Sequence, residues 1–301
     1  MVYLDDMKKP PPLICVVGQT ATGKSSLGLD IAKEWNGEII CADSWTIRKG
    51  VNIGSAKPSI EDQKLVPHHL INLIEPDQDF NAALFKNLAS KAIADITNRG
   101  KLPIMVGGTG LYIDSIIYDY SFSKGSDPKT RQKLNKLDLT QLLHKVNDSG
   151  LDISDIDVRN KRRLIRLIET NGTRPTKKGL RDNTLMLGVS LDKDELKQHV
   201  ISRVDAMLAA GLESEVQELF QRYGWQAEAL KGIGYAQWKE YFLGSENLDQ
   251  VREKIIQATM NLAKRQTTWF QRNKSIHWLE APVKRYKVVD YVTTFLGTNV
   301  H

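Results

Sequence analysis

The chain predicts an α/β fold built on a mostly parallel sheet flanked by helices, and three observations point to it. Short apolar runs, LICVV (13–17), EIIC (38–41), HLINL (69–73), LPIMV (102–106) and TLMLGVSL (184–191), alternate with stretches of helical periodicity. That order yields parallel strands covered by helices on both faces. The first run leads directly into GQTATGKS, Gly18 to Ser25, and then into the helical pattern SSLGLDIAKEW. Strand, GxxxxGKS and helix in that order form a phosphate-binding loop of the P-loop NTPase type. Finally, 301 residues, 41% of them hydrophobic and 26% charged, suffice for one large domain with an insertion.

Taken in order, residues 1–12 (MVYLDDMKKPPP) are acidic and basic without an apolar core, which predicts a disordered lead-in and not a secretory signal. The loop that follows the first strand comprises Gly18, Gln19, Thr20, Ala21, Thr22, Gly23, Lys24 and Ser25. Its backbone N–H groups and the helix N-terminus attract phosphate oxygens, Lys24 adds a point charge, and the Ser25 hydroxyl suits Mg²⁺. After the second strand, CADSWTIRKG places Asp43 just past the carboxyl end, the edge where open α/β sheets bind ligands. A carboxylate there is placed to take a proton from a substrate; the spacing fits a turn cap equally well. His68 and His69 lead into the third run without metal-ligand spacing and read as structural. The fourth run passes into GGTG (107–110) with no acid at its end. P-loop enzymes that cleave a triphosphate usually carry an Asp at such a strand end to help hold Mg²⁺, so triphosphate cleavage is not expected.

Residues 121–155 are polar and helical without a strand, which predicts a small helical insertion between core segments 13–120 and 156–301. From 194 the chain is largely helical, with Asp192 as a helix cap and IHWLE (276–280) as a late strand. In DELKQHVISRVDAMLAAG (194–211), Arg203 falls on the stripe of Leu196, Val200, Val204, Met207 and Leu208. An inward guanidinium needs an anionic partner, either a carboxylate in a salt bridge or a phosphate.

Cys15 and Cys41 lie in apolar runs and read as reduced core thiols, which suits the cytoplasm. No apolar run approaches the ~20 residues of a membrane span. The net charge is +6 and the isoelectric point near 9.1. Residues 155–183 hold nine Lys or Arg against four acids, a local excess of +5. Arg159, Arg162, Arg163 and Arg166 share one helical face opposite Leu164, Leu167 and Ile168. A second basic stretch, KRQTTWFQRNK (264–274), interleaves Trp269 and Phe270. Two such stretches, one with aromatics, favour nucleic acid as a partner over a merely solvated surface.

With these residues assembled, the sequence resembles the tRNA dimethylallyltransferases. The resemblance is carried by GQTATGKS, DSWTIRKGVNIGSAKP (43–58), PHHLIN (67–72), GGTGLY (107–112), NKRRLIRLIE (160–169), RVDAMLAAGLESEV (203–216), GIGY (232–235) and AKRQTTWF (263–270). It implies that the loop holds the diphosphate of dimethylallyl diphosphate and that a carbon–oxygen bond is broken. The acceptor is N6 of the adenosine 3′ to the anticodon, flipped from its stack in the tRNA anticodon stem-loop. By the same resemblance Asp43 is the general base, and Lys24, Ser25 (with Mg²⁺) and Arg203 stabilise the departing diphosphate. Asp43, Ser44, Trp45, Thr46, Thr109, Arg131, Arg162, Arg163, Leu164, Ile165 and Arg166 fall along the tRNA path, and the protein is expected to act as a monomer. The chain departs from the family at Gln19, Thr46 and Arg48, where Pro, Gln and Tyr are usual, at Met260-Asn261, and in its short insertion. Two competing readings are a small-molecule or nucleotide kinase, which ATP should stabilise more than the prenyl donor, and an RNA-binding module without catalysis.

Overall fold

The computed structural model describes residues 9–123 and 126–297, so most of the expected lead-in lies outside the described residues. Two compact units divide at Ile117/Tyr118 and at Gly179/Leu180.

The larger unit opens with β1 (Leu13–Gly18), α1 (Lys24–Glu34), β2 (Gly37–Cys41), α2 (Ile60–Leu65), β3 (His68–His69), α3 (Ala82–Asn98), β4 (Leu102–Gly107) and α4 (Gly110–Ile117). The smaller one contains α5 (Pro128–Lys136), α6 (Leu139–Asp148) and α7 (Lys161–Glu169). The chain then returns with β5 (Thr184–Ser190), α8 (Lys193–Ala209), α9 (Leu212–Tyr223), α10 (Lys239–Phe242), α11 (Leu248–Phe270), β6 (Ile276–Glu280) and α12 (Arg285–Gly297).

All six strands run parallel in the order β3-β2-β4-β1-β5-β6. Strand β1 is central and wholly buried, as its continuous apolar run requires. The connection from β1 goes to one side of the sheet and that from β4 to the other. The loop after β1 therefore opens at the crevice between them, where such sheets bind ligands. The sheet packs on α1 and α12 through Ile14, Val16, Leu27, Ile31, Ile104, Leu187 and Val292. A second cluster joins α8, α9 and α11 through Leu196, Val200, Val204, Val216, Trp238 and Ile255. Asp192 caps α8 by accepting from the Asp194 N–H at 2.8 Å, as its spacing predicted. Cys15 and Cys41 are buried and unpaired, as expected of core thiols.

Two expectations are corrected. The third strand is two residues long instead of 69–73, because Leu70 (φ 60°) and Asn72 (φ 54°) turn the backbone out of extended geometry. The smaller unit spans Tyr118–Gly179 and not 121–155. The reason is α7: Leu164, Ile165 and Leu167 pack against Leu142 and Val146 of α6 and Leu134 of α5. The basic helix is thus part of the small unit, whose remaining turns supply its apolar partner.

Candidate functional site

The site begins at the loop between β1 and α1. Gly18 stands where a Cβ would come within 2.4 Å of the Val189 carbonyl oxygen, so only glycine lets β1 turn beside β5. Gly23 (φ 89°) precedes α1 in left-handed geometry and aims the first helical N–H groups into the loop. Inside the loop the Gln19 carbonyl accepts from Thr22 Oγ1 (2.9 Å) and from Lys24 Nζ (3.1 Å). Ser25 is exposed at the first turn of α1.

Thr20, Lys24, Ser25, Asp43, Thr46 and Arg203 line one pocket at the carboxyl edge of the sheet. Burial lowers the Lys24 amine to about 8, Arg203 nearby adds to the effect, and Asp43 opposes it. Burial also lowers the Arg203 guanidinium, again against the pull of Asp43. Arg203 donates to Thr20 Oγ1 at 2.9 Å, a neutral hydroxyl. Of the two partners the stripe allowed, a direct carboxylate bridge is not what holds it. A pocket with two cations and one carboxylate at the start of α1 is suited to take an anion beside a proton acceptor.

Asp43 plays the turn-capping part that its spacing allowed: Oδ1 accepts from the N–H groups of Trp45 (2.7 Å) and Thr46 (3.3 Å). The Asp43 turn is tied to the segment after β4, where Ser44 N donates to Thr109 Oγ1 (3.2 Å) and Thr109 N to the Ala42 carbonyl (3.2 Å). Thr46 is buried and its hydroxyl has no hydrogen-bond partner among the described residues. Arg48 is buried too, donating to the carbonyls of Pro76 (3.2 Å) and Gln78 (2.6 Å), and its guanidinium lies 5.7 Å from the Trp45 ring centre.

The basic residues separate into different tasks. Arg162 and Arg163 are exposed on α7. Arg131 pairs with the nearly buried Glu169 at 2.6 Å, and Arg166 bonds the Ser123 carbonyl and lies 3.8 Å from Glu169. Arg159 precedes the helix and pairs with Asp157 at 3.2 Å, so it does not share the α7 face. Leu164 and Ile165, expected on the tRNA path, have their side chains buried in the helical unit.

The 264–274 stretch is also reinterpreted. Phe270 is buried in the core, and Trp269 donates from Nε1 to Asp114 at 3.0 Å. Gln266 Oε1 accepts from Thr20 N (2.7 Å), and Gln19 Nε2 donates to Thr267 Oγ1 (2.6 Å). The motif braces the phosphate loop, a task that local composition could not reveal. Two acidic residues were missed for the same reason. Glu38 gathers Arg99, His69 and Lys101, and Glu215 accepts from the N–H groups of Asn52, Ile53 and Gly54 and from the Tyr235 hydroxyl.

A family model described as IPP transferase matches residues 46–273. The chain is 40% identical to a tRNA dimethylallyltransferase of Pelotomaculum thermopropionicum, covering 90% of this chain and 91% of that protein. It is 36% identical to one of Staphylococcus epidermidis, covering 97% and 93%. Among solved structures, a full-length tRNA isopentenylpyrophosphate transferase from Bacillus halodurans is similar with a TM-score of 0.74 at 31% identity, over 96% of each chain.

Proposed function

The chain belongs to the IPP transferase family, and from that premise we propose how its pocket carries out prenyl transfer to tRNA. The reaction moves the dimethylallyl group from dimethylallyl diphosphate to N6 of the adenosine 3′ to the anticodon and releases diphosphate. The kinase and the non-catalytic module drop out, because the matched relatives transfer a prenyl group.

In this reading the P-loop N–H groups, Lys24 and Arg203 hold the diphosphate and stabilise the charge that grows on it as the carbon–oxygen bond breaks. Asp43 accepts the proton that N6 loses as the new carbon–nitrogen bond forms. The observation that carries this is the meeting of Asp43, Lys24 and Arg203 in one pocket. Diphosphate leaves whole, so the missing acid at the end of β4 is no handicap. Mg²⁺ fits the donor set at Ser25, whose hydroxyl lies in the pocket with Lys24 and would hold the ion beside the diphosphate, while Asp43 is left to take the proton. Mg²⁺ favours that arrangement, keeping several waters and taking its other ligands from phosphate. When bound, it supplies positive charge to the leaving group. No helix among the described residues is long and apolar enough to cross a membrane; a cytoplasmic, monomeric enzyme suits a tRNA substrate. Incubation with labelled dimethylallyl diphosphate and an anticodon stem-loop tests the whole reading: label in the RNA supports it, and label that never leaves the donor refutes it.

Lys24 gives a pH prediction. Its folded pKa of about 8 lies below the ordinary value of 10.5. The charged form is therefore disfavoured by folding, and stability should rise between pH 8 and 10.5 as this cost is relieved. Diphosphate needs that charge, so its affinity should fall as pH rises through about 8. Calorimetric titration at stepped pH should show the fall in wild type and its absence in Lys24→Arg, whose charge persists.

Arg162 and Arg163 are proposed to face tRNA phosphates. Their replacement by Gln should weaken stem-loop binding and flatten the slope of log affinity against log salt by roughly 0.7–0.9 for each phosphate released from an arginine. Parallel salt titrations for wild type and the double variant would remove this face from the interface. Arg166 is left out of the test because its bonds to Ser123 and Glu169 make it structural.

A further inference from the structure

We propose that Gln266 is a positioning residue that keeps the donor-holding and acceptor-holding loops in register, an inference that rests on the transfer reaction above. Its carboxamide is buried and bridges two loops far apart in sequence. Oε1 accepts from Thr20 N at 2.7 Å, and Nε2 donates to the Gly108 carbonyl at 3.1 Å.

Each contact continues to a reacting group. On the donor side, Thr20 carries on its hydroxyl the 2.9 Å bond from Arg203. On the acceptor side, Gly108 adjoins Thr109, which bonds Ala42 and Ser44, the two neighbours of Asp43. One planar amide therefore lies between the cation that meets the leaving group and the carboxylate that takes the proton. The approach is close: a Cβ on Gly108 would stand 2.2 Å from Gln266 Nε2. Thr267, the next residue of α11, holds Gln19 at 2.6 Å, so consecutive side chains of one helix hold consecutive residues of the phosphate loop.

The arrangement also assigns the loop's N–H groups. Thr20 N points to Gln266, so phosphate is left to the N–H groups further along the loop and at the start of α1. A shift of Thr20 against Gly108 changes the distance from the scissile carbon to N6, and misplacement by about 1 Å costs on the order of 10²-fold in rate. The effect belongs to the reaction step, because each substrate still meets its own loop.

The test compares wild type, Gln266→Met and Gly108→Ala. Single-turnover transfer is measured with saturating dimethylallyl diphosphate and anticodon stem-loop, alongside separate binding of inorganic diphosphate and stem-loop. Gln266→Met, similar in length but without the bridge, should lose about 10- to 100-fold in saturating rate while each ligand binds within about threefold of wild type. Gly108→Ala keeps the amide but presses on it and should lose rate in the same sense, which decides the matter if Gln266→Met does not fold. A saturating rate within about twofold of wild type in a folded variant, or a loss that appears only as weaker binding of one ligand, overturns the proposal. Wild type that transfers no label counts against the activity reading instead, a result distinct from any difference among the variants.

Discussion

Asp43→Asn should bind both substrates and transfer almost nothing. An asparagine keeps the side-chain oxygen that accepts from the N–H groups of Trp45 and Thr46, so the turn after β2 should survive. It loses the capacity to take a proton from N6, and a general base typically supplies about 10²–10⁴-fold. The carboxylate also offsets the mutual repulsion of Lys24 and Arg203. With it gone, inorganic diphosphate should bind at least as tightly as in wild type. Single-turnover transfer measured beside diphosphate and stem-loop affinities separates these effects. Turnover near the wild-type rate would take Asp43 out of the chemistry and leave it as a turn cap.

Glu38→Gln should be the most damaging change to stability outside the pocket. The Glu38 side chain is 1% exposed and accepts from Arg99 Nη2 at 2.8 Å, from Lys101 Nζ at 2.9 Å and, through Oε2, meets His69 Nε2 at 2.6 Å. The Arg99 hydrogen bonds, with those of His69 and Lys101, hold its carboxyl far below the ordinary carboxylate range. Removing one partner of a buried ion pair costs about 3–5 kcal/mol. Arg99, Lys101 and His69 keep some access to water, so roughly 3 kcal/mol is expected at neutral pH. The sign with pH follows from the lowered pKa: the stabilisation is complete above the unfolded value of 4.5 and is lost as pH falls below it. Urea unfolding at neutral pH and at about pH 3 checks both parts. The gap between wild type and variant should be wide at neutral pH and narrower in acid; an equal gap would assign the loss to packing.

What was legible in the chain follows from the range of the interactions involved. Strands β1, β2, β4 and β5 announced themselves as apolar runs because both faces of a parallel sheet are covered, whereas the edge strand β6, buried only at Ile276 and Leu279, showed as the mixed stretch IHWLE. HLINL announced β3 but with the wrong extent, because the strand's end is set by positive backbone angles at Leu70 and Asn72, which composition does not encode. Asp43, Lys24 and Arg203 could be named because strand edge, motif and helical spacing are local signals, and the pocket brings them together. Arg159 was misjudged, since it precedes α7 and pairs with Asp157, and charge counting gave no sign that Arg166 bonds the Ser123 carbonyl and lies near Glu169. Gln266 was invisible, since its partners Thr20 and Gly108 lie 246 and 158 residues away.

The two buried cysteines carry a practical consequence. Burial pushes the thiols of Cys15 and Cys41 up to about 12, so at neutral pH neither presents a thiolate to an electrophile. No other cysteine occurs in the chain. Towards a maleimide the folded protein therefore behaves as though it had no cysteine at all. A single Lys133→Cys substitution on the exposed surface of α5 would carry a fluorophore alone, without prior removal of native thiols. The proposed docking of an RNA stem-loop on α7 would then be testable by fluorescence from one defined position.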